Sequence, residues 1–424
     1  MLRVISTGKS LSPASSVWLL GVSQLIGYGT LYYSFSILAG DIGRSFAWPV
    51  SWLYGCFSLA LLAGGVIAPL IGRRIDRHGA ATVMALGSAL SAAALCWASC
   101  ATNPIVFAAA LIAMQAASAL VLYDAAFAAL VQLTGAEARL RITHLTLIAG
   151  FASTLFWPLT SWLHAALDWR QILLVFAGLN LFVSLPIHAL LAARPRRSIE
   201  IVPSPSGDTG TPTAIALPPN LQRRMLMLMT LGFALSNFAL SALLAQLVPT
   251  LTTVGLGASA LLVASLFGPA QVLVRFVNML LGVRRHPLPA ALIGLAMTPL
   301  AIAVLMLSAP AVPGAVVFAA LLGFGSGLKS IVQGTLPLAL FGAGSYGARL
   351  GIMAAARQVL SALAPFAFAA LSGAAGTSWA LAALAVAGVL GLAALLEVGR
   401  LGRADFGSNA AVRGEGLAPL TDVV

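Results

Sequence analysis

Gly72-Arg73-Arg74-Ile75-Asp76-Arg77-His78-Gly79 stands between two apolar stretches, and its reading decides how the chain folds. Leu59 to Ile71 ahead of it and Ala80 to Ala98 behind it are apolar, so the octapeptide reads as a short turn that forces an antiparallel helix pair. Its arginines then lie at one membrane face, where Asp76 can accept charge-assisted hydrogen bonds and favour a helix N-terminus. An ordinary basic membrane loop has no need of an acid flanked by glycines. Gly72, Arg73, Asp76, Arg77 and Gly79 are therefore candidates for a conformational gate.

The alternation of apolar run and polar turn extends along the whole chain. Of 424 residues, 60% are hydrophobic and 8% charged, against roughly 25% charged in soluble domains. Apolar runs recur twelve times, at about 17–40, 50–71, 81–101, 104–133, 143–166, 170–193, 225–250, 258–282, 288–308, 312–341, 349–373 and 377–396. Helices satisfy their own backbones in lipid, whereas barrel strands would alternate and be half as long. The expected class is all-α, a polytopic membrane protein with 12 transmembrane helices, numbered below in that order.

A net charge of +12 could suggest nucleic acid, but its distribution excludes it. If the N-terminus lies inside, 18 of the 23 basic residues fall at inner positions, from Arg3 and Lys9 through Arg73, Arg74 and Arg77 to Arg400, Arg403 and Arg413. Arg44 and Arg170 fall outside, and Arg275, Lys329 and Arg357 lie within apolar runs. That asymmetry places both termini in the cytoplasm and the chain in the cell inner (plasma) membrane. The first run is expected to be a retained helix rather than a removed signal peptide.

Residues 194–224 break the pattern with Pro203-Ser204-Pro205-Ser206-Gly207-Asp208 and Pro218-Pro219, a composition that cannot bury a core. The expected organisation is an N-terminal tail over 1–16, a six-helix bundle over 17–193, a cytoplasmic linker over 194–224, a second bundle over 225–396 and a disordered tail over 397–424. Gly282-Val283-Arg284-Arg285-His286, between helices 8 and 9, echoes the basic loop between helices 2 and 3. Such internal symmetry implies two bundles around a central site. Cys56, Cys96 and Cys100 all lie in expected spans, which excludes a disulfide framework. No cofactor and no metal site is implied, and no catalytic triad or phosphate loop supports an enzyme.

The octapeptide resembles the G-x-x-x-D-R-x-G loop of the major facilitator superfamily. Gly135-Ala136-Glu137-Ala138-Arg139 after helix 4 resembles that family's second charged loop, and Asp168-Trp169-Arg170 its G-W-R opening of helix 6, with Asp168 in place of glycine. Helix 4 carries Gln115 and no arginine in its outer part, and helix 5 lacks the closing glycine-proline repeat of the drug antiporters. The stretch from Gly27 through Asp76 looks more similar to carriers of the monocarboxylate-porter type. The resemblance implies a secondary transporter of two pseudo-symmetric six-helix bundles working by alternating access, with helices 1 and 7 lining the cavity.

Charge inside the spans is the main chemical signal, since an unpaired ion near the bilayer centre costs about 3 kcal/mol even on insertion scales. Lys329 in helix 10 follows Gly323-Phe324-Gly325-Ser326-Gly327, whose small residues permit close helix approach. It could bind an anionic solute, act as a protonation switch or pair with Asp124. Asp124 in helix 4 is the only acid in any span; it could exchange a proton with solvent or fasten a gate by pairing with Arg139. Arg275 in helix 8 and Arg357 in helix 11 read as site or gate, and oxalate/formate exchangers of the same superfamily carry cations on those two helices. Gln24, Tyr28 and Tyr32 recur every four residues in helix 1, as Asn237 and Ser241 do in helix 7, which suggests a hydrogen-bonding wall. The cysteines could converge on a soft metalloid, although small apolar packing residues explain them as well.

Three bases against one acid within the spans favour an anionic solute. The expected function is secondary transport of a small organic anion, proton-coupled or by exchange, by a carrier working as a monomer in the lipid bilayer. The alternatives are an efflux permease for a hydrophobic or metalloid toxin such as arsenite, and a non-transporting membrane scaffold or receptor.

Overall fold

The computed structural model describes residues 13–195, 218–281 and 286–413, with side chains to Arg403. Among these residues the chain is all helix and turn, and its helices form twelve spans. The first, α1, runs over Pro13–Tyr28, a π turn at Gly29–Tyr33 and Phe35–Phe46. Next come α2 (Val50–His78), α3 (Ala80–Ser99), α4 (Pro104–Val121 and Tyr123–Thr134) and α5 (Ala138–Ala149 and Ala152–His164). The first bundle ends with α6 (Trp169–Leu179, a π turn at Asn180–Ser184, and Leu185–Ala192). The second comprises α7 (Pro219–Ala245), α8 (Ser259–Ser265 and Phe267–Leu281), α9 (Pro287–Ser308), α10 (Val312–Phe341), α11 (Tyr346–Ala375) and α12 (Thr377–Arg413).

Each bundle is packed by two apolar clusters, one toward either end. In the first bundle, Leu38, Leu53, Leu95 and Phe176 belong to one cluster and Met84, Phe127, Leu130 and Ile142 to the other. Leu243, Ile302 and Phe318, then Met229, Phe233 and Leu295, repeat the arrangement in the second. The bundles share a core in one place: Tyr346 and Leu350 of α11 join the cluster around Ile71, Ile75 and Met84. This is the end bearing Arg73, Arg74 and Arg77, hereafter the basic end.

Two expected boundaries are corrected. The octapeptide is not a loop of eight residues: α2 stays helical to His78, and Gly79 alone, at φ 93°, turns the chain into α3. Arg77 and His78 in the last helical turn complement the negative end of the macrodipole, which favours continuation. The tail expected to be disordered from 397 is helical to Arg413, extending α12 beyond Leu396. Leu395 and Val398 are fully buried there, and Glu397 faces Arg224 at 3.4 Å and Arg400 at 3.9 Å. At the other end of the linker, Arg223 and Arg224 lie within α7. Residues 1–12, most of the linker (196–217), the echo loop at 282–285 and the terminus 414–424 lie outside the described residues.

Four helices of the first bundle, α1, α4, α5 and α6, break at membrane depth. Two break points are tied by side chains that replace lost backbone bonds, as a medium without water requires. In α4, Leu122 is extended (φ −81°, ψ −165°), which frees the carbonyl of Val121, and Gln24 Nε2 donates to it at 2.6 Å. In return, Gln115 Nε2 of α4 donates to the Leu31 carbonyl in the π turn of α1, at 2.7 Å. Asn180 in the π turn of α6 bonds Thr30 Oγ1 at 3.0 Å, joining the two π turns.

Candidate functional site: a cavity between the bundles

The breaks place side chains around a cavity of about 350 Å³ at the bundle interface. From α1 come Tyr28, Tyr32 and Tyr33, the last two carried by the π turn; Gln115, Tyr123 and Asp124 flank the break in α4. Facing them, α10 supplies Ser326, Lys329, Ser330 and Gln333, and α11 supplies Arg357 and Gln358. Asn237 of α7 and Gln271 of α8 complete that wall. A small-molecule site is typically about 300–1,000 Å³, so this cavity lies at the small end.

Lys329 reaches the cavity because α10 packs closely on its neighbours. A methyl at Gly327 would stand 2.6 Å from the Gln271 carbonyl oxygen of α8, and one at Gly325 would stand 3.0 Å from the Gly294 carbonyl oxygen of α9. The Lys329 ammonium donates to Ser236 Oγ at 2.9 Å and to the Ser236 carbonyl at 3.2 Å. It is 3% exposed, and among the described residues no carboxylate lies within 4.0 Å of it.

Asp124 pairs with neither of its expected partners. Arg357 Nη2 of the opposite bundle donates to its Oδ2 at 2.9 Å, and Arg357 Nη1 bonds Gln333 at 3.3 Å. Asp124 sits in the first turn of the second half of α4, where the helix dipole favours a carboxylate, and its Oδ1 has no partner in the protein. The broken helix explains the change of partner: restarting α4 at Tyr123 fixes Asp124 at the inter-bundle seam, whereas an unbroken helix read from sequence leaves its direction open.

The remaining sequence candidates divide between cavity and scaffold. Tyr28, Tyr32 and Asn237 line the cavity. Gln24 is fully buried away from it, spent on the α4 break, which corrects its expected place in a solute-binding stripe. Ser241 likewise bonds the Ser361 carbonyl within its own bundle. Arg275 lies outside the lining, 4% exposed, bonding Ser330 Oγ at 3.1 Å and, across the interface, the Thr146 carbonyl at 3.2 Å. Tyr33, Tyr123, Gln333 and Gln358 were not singled out for the lining from sequence; the only signal was their type beside a helix break or a charged neighbour.

Toward the basic end the bundles close on each other. Asp76 accepts hydrogen bonds from the backbone amides of Gly347 and Ala348, both at 2.8 Å, at the start of α11. Those amides are available because Ser345, at the N-cap with φ 50°, provides no side-chain cap. The first bundle thus caps a helix of the second with a charge-assisted pair of bonds aligned with its dipole. Backbones meet along the same seam: a methyl on Gly72 would stand 2.2 Å from the Gly347 carbonyl oxygen, and one on Gly351 would stand 2.5 Å from that of Ala68. Arg357–Asp124 and Arg275–Thr146 add hydrogen bonds between the bundles level with the cavity or between it and the basic end.

Cys56, Cys96 and Cys100 are free thiols, and among the described residues no three of His, Cys, Asp and Glu form a metal-binding group. The convergence of thiols required by a metalloid site is therefore not formed.

Two bundles of six helices enclosing a central polar cavity, closed at one end, define the class of membrane carriers that work around a midplane site. The Major Facilitator Superfamily profile matches residues 17–327, and the chain belongs to that family. It is a multi-pass membrane protein and a secondary transporter of a small solute, not an enzyme. Its fold is similar to that of the E. coli fucose:proton symporter FucP (TM-score 0.67, 16% identity, 92% of this chain and 99% of that one). A FucP structure in the outward conformation gives 0.65 at 16% identity, covering 90% and 98% of the two chains. The human organic anion transporter MFSD10 (TETRAN) gives 0.66 at 16%, with the same coverage. No curated protein sequence matches the chain.

Proposed function

We propose that the solute is a small organic anion and that Lys329 is its principal contact. The observation that carries this reading is a buried, cavity-lining ammonium with no carboxylate within 4.0 Å among the described residues, while Asp124, the acid of the cavity lining, is engaged by Arg357. A desolvated cation without a counter-ion is costly, and a carboxylate solute supplies the missing charge. The likeness to an organic anion transporter is one of fold and lends no identity to the solute. Cations on α8, α10 and α11 remain in keeping with a carrier of the monocarboxylate-porter or oxalate/formate type.

Asp124 and Arg357 form the floor of the cavity and join the bundles. Protonation of Asp124 releases Arg357 and weakens the seam, coupling a proton to the change of access. Opening and closing alternate about the clasp at Asp76, whose carboxylate favours the state closed at the basic end. We assign that end to the cytoplasm, in the cell inner (plasma) membrane, on the distribution of arginine. The same reading takes the carrier to work as a monomer, because the two bundles of a single chain already enclose a cavity between them.

Calorimetry with small carboxylates tests the anion site. Lys329→Ala is expected to abolish binding, and Lys329→Arg to retain part of it with altered selectivity, because a guanidinium fork is not a point charge. Unchanged affinity in Lys329→Ala would remove Lys329 from the site. Asp124→Asn is expected to keep exchange of solute across the membrane while losing uptake driven by a pH gradient. Retained gradient-driven uptake assigns the proton elsewhere.

A further inference from the structure

The two walls of the cavity differ in chemistry, and the difference narrows the solute. Tyr28, Tyr32, Tyr33 and Tyr123, four of the six tyrosines in the chain, line it from the first bundle, while the second bundle contributes no aromatic ring. The rings form a connected surface: Tyr28 to Tyr123 at 4.8 Å, Tyr32 to Tyr33 at 5.3 Å edge-to-face, and Tyr28 to Tyr33 at 6.3 Å between centroids. Trp157 backs Tyr33 edge-to-face at 5.9 Å. Phe127 stacks on Tyr123 at 5.1 Å and Phe57 packs on Tyr32 at 5.6 Å, so the wall is backed by further rings, and among the described residues no hydrogen bond engages the four hydroxyls, which leaves their polar tips to a solute.

Opposite stand Lys329 and Arg357; with Lys329 protonated, their charges and that of Asp124 give the cavity a net charge of +1. One negative charge neutralises it; a dianion overshoots, and a cation meets repulsion from an unpaired ammonium. We infer that the solute is an aromatic monocarboxylate, its planar ring against the tyrosine wall of the first bundle and its carboxylate on Lys329 of the second. This deepens the anion reading and rests on it. Aromatic rings prefer edge-to-face or offset neighbours at about 4.5–7 Å, the spacing the tyrosines already hold, so a further ring extends an existing pattern. A cavity of about 350 Å³ limits the solute to one or two rings. Since ring and carboxylate contact different bundles, one bound solute draws the two together.

The test is calorimetry on the purified full-length chain with five probes: benzoate, cyclohexanecarboxylate, butyrate, benzamide and terephthalate. Benzoate is expected to bind roughly three- to tenfold tighter than cyclohexanecarboxylate, which matches it in charge and size but lacks the π face. Benzamide, without the charge, is expected to show no binding, and terephthalate to bind more weakly than benzoate. Tyr32→Leu and Tyr28→Leu are each expected to bring the benzoate to cyclohexanecarboxylate ratio close to one, with benzoate affinity falling more than that of butyrate. Melting temperature reports folding separately, and Tyr32, 42% exposed, is the substitution the fold tolerates better. Equal or tighter binding of cyclohexanecarboxylate, or a ratio that survives both tyrosine variants, overturns the aromatic inference and leaves the anion site standing. Binding of benzamide as tight as benzoate, or of no carboxylate at all, removes the anion site and the inference together.

Discussion

The seam toward the basic end is held by two clasps at pseudo-symmetric positions, and they use opposite chemistry. Asp76 near the end of α2 accepts from two first-turn amides of α11; Arg275 in the corresponding half of α8 donates to a carbonyl of α5. In the first, an acid meets the positive end of a helix with two bonds of 2.8 Å. In the second, a base meets the Thr146 carbonyl, already bonded by the Gly150 amide just before the break in α5, at 3.2 Å, with Ser330 of its own bundle as second partner. The first-turn amides of α11 are otherwise unsatisfied and stand at the positive end of a dipole, whereas the Thr146 carbonyl is already bonded along α5. The repeat has preserved the geometry of contact between bundles while concentrating the strength of closure in α2 and α11.

That ranking can be broken most directly at Gly72. Its added side chain would collide with the Gly347 backbone, which cannot rotate away. Gly72→Val is therefore expected to force the basic end apart and reduce uptake in proteoliposomes by about 100-fold or more, in line with the cost of overpacking a tight contact. Spin labels at Arg77 and Arg349 should show the longer distance. An unchanged distance would mean that the seam yields without separating.

Asp76→Asn should come next. It keeps the shape but loses the charge and one of two acceptor oxygens, so turnover is expected to fall about 10- to 100-fold while solute affinity stays within a few-fold, the weight of a charge-assisted pair. Wild-type turnover would take the clasp out of the transport cycle. Arg275→Lys keeps a charge but not the fork, and its expected loss of turnover is only about three- to tenfold. A larger loss in Arg275→Lys than in Asp76→Asn reverses the comparison. In the double variant the losses should multiply, because the two clasps share no partner.

The smallest transport effect is expected at Gln24, which ties α1 to the α4 break and stands apart from both clasps. Gln24→Leu leaves the Val121 carbonyl unsatisfied and should cost about 1–3 kcal/mol of stability, read as a lower melting temperature, with solute affinity unchanged. A lost affinity at constant melting temperature would return Gln24 to the solute-binding wall.

How much of the site was legible depended on which signal each residue left. Asp76 stood out because an acid flanked by glycines in a basic turn has few purposes, and Lys329 because a charge inside an apolar run is costly wherever it points. The amides that meet Asp76 lie some 270 positions along the chain, and no local pattern links them to it. Gln24 showed the reverse: its four-residue spacing to Tyr28 set it on the face that meets α4, but the break of that helix at Leu122 leaves the Val121 carbonyl there to take its amide. Periodicity assumes an unbroken helix, and it fails where the backbone departs from one.

By itself the sequence determined the class, because lipid leaves the backbone no alternative to helices and arginine accumulates at one set of turns. It also determined which charged residues had to matter, since a buried ion is expensive regardless of its neighbours. Only the tertiary structure decided the partners: that Asp124 belongs to Arg357 rather than Arg139 or Lys329, that Lys329 faces a cavity with Ser236 alone, and that four tyrosines from two broken helices form one wall. Burial energy follows from composition and can be read along the chain. Pairing depends on where helices break and cross, and that is fixed only when both bundles are packed together.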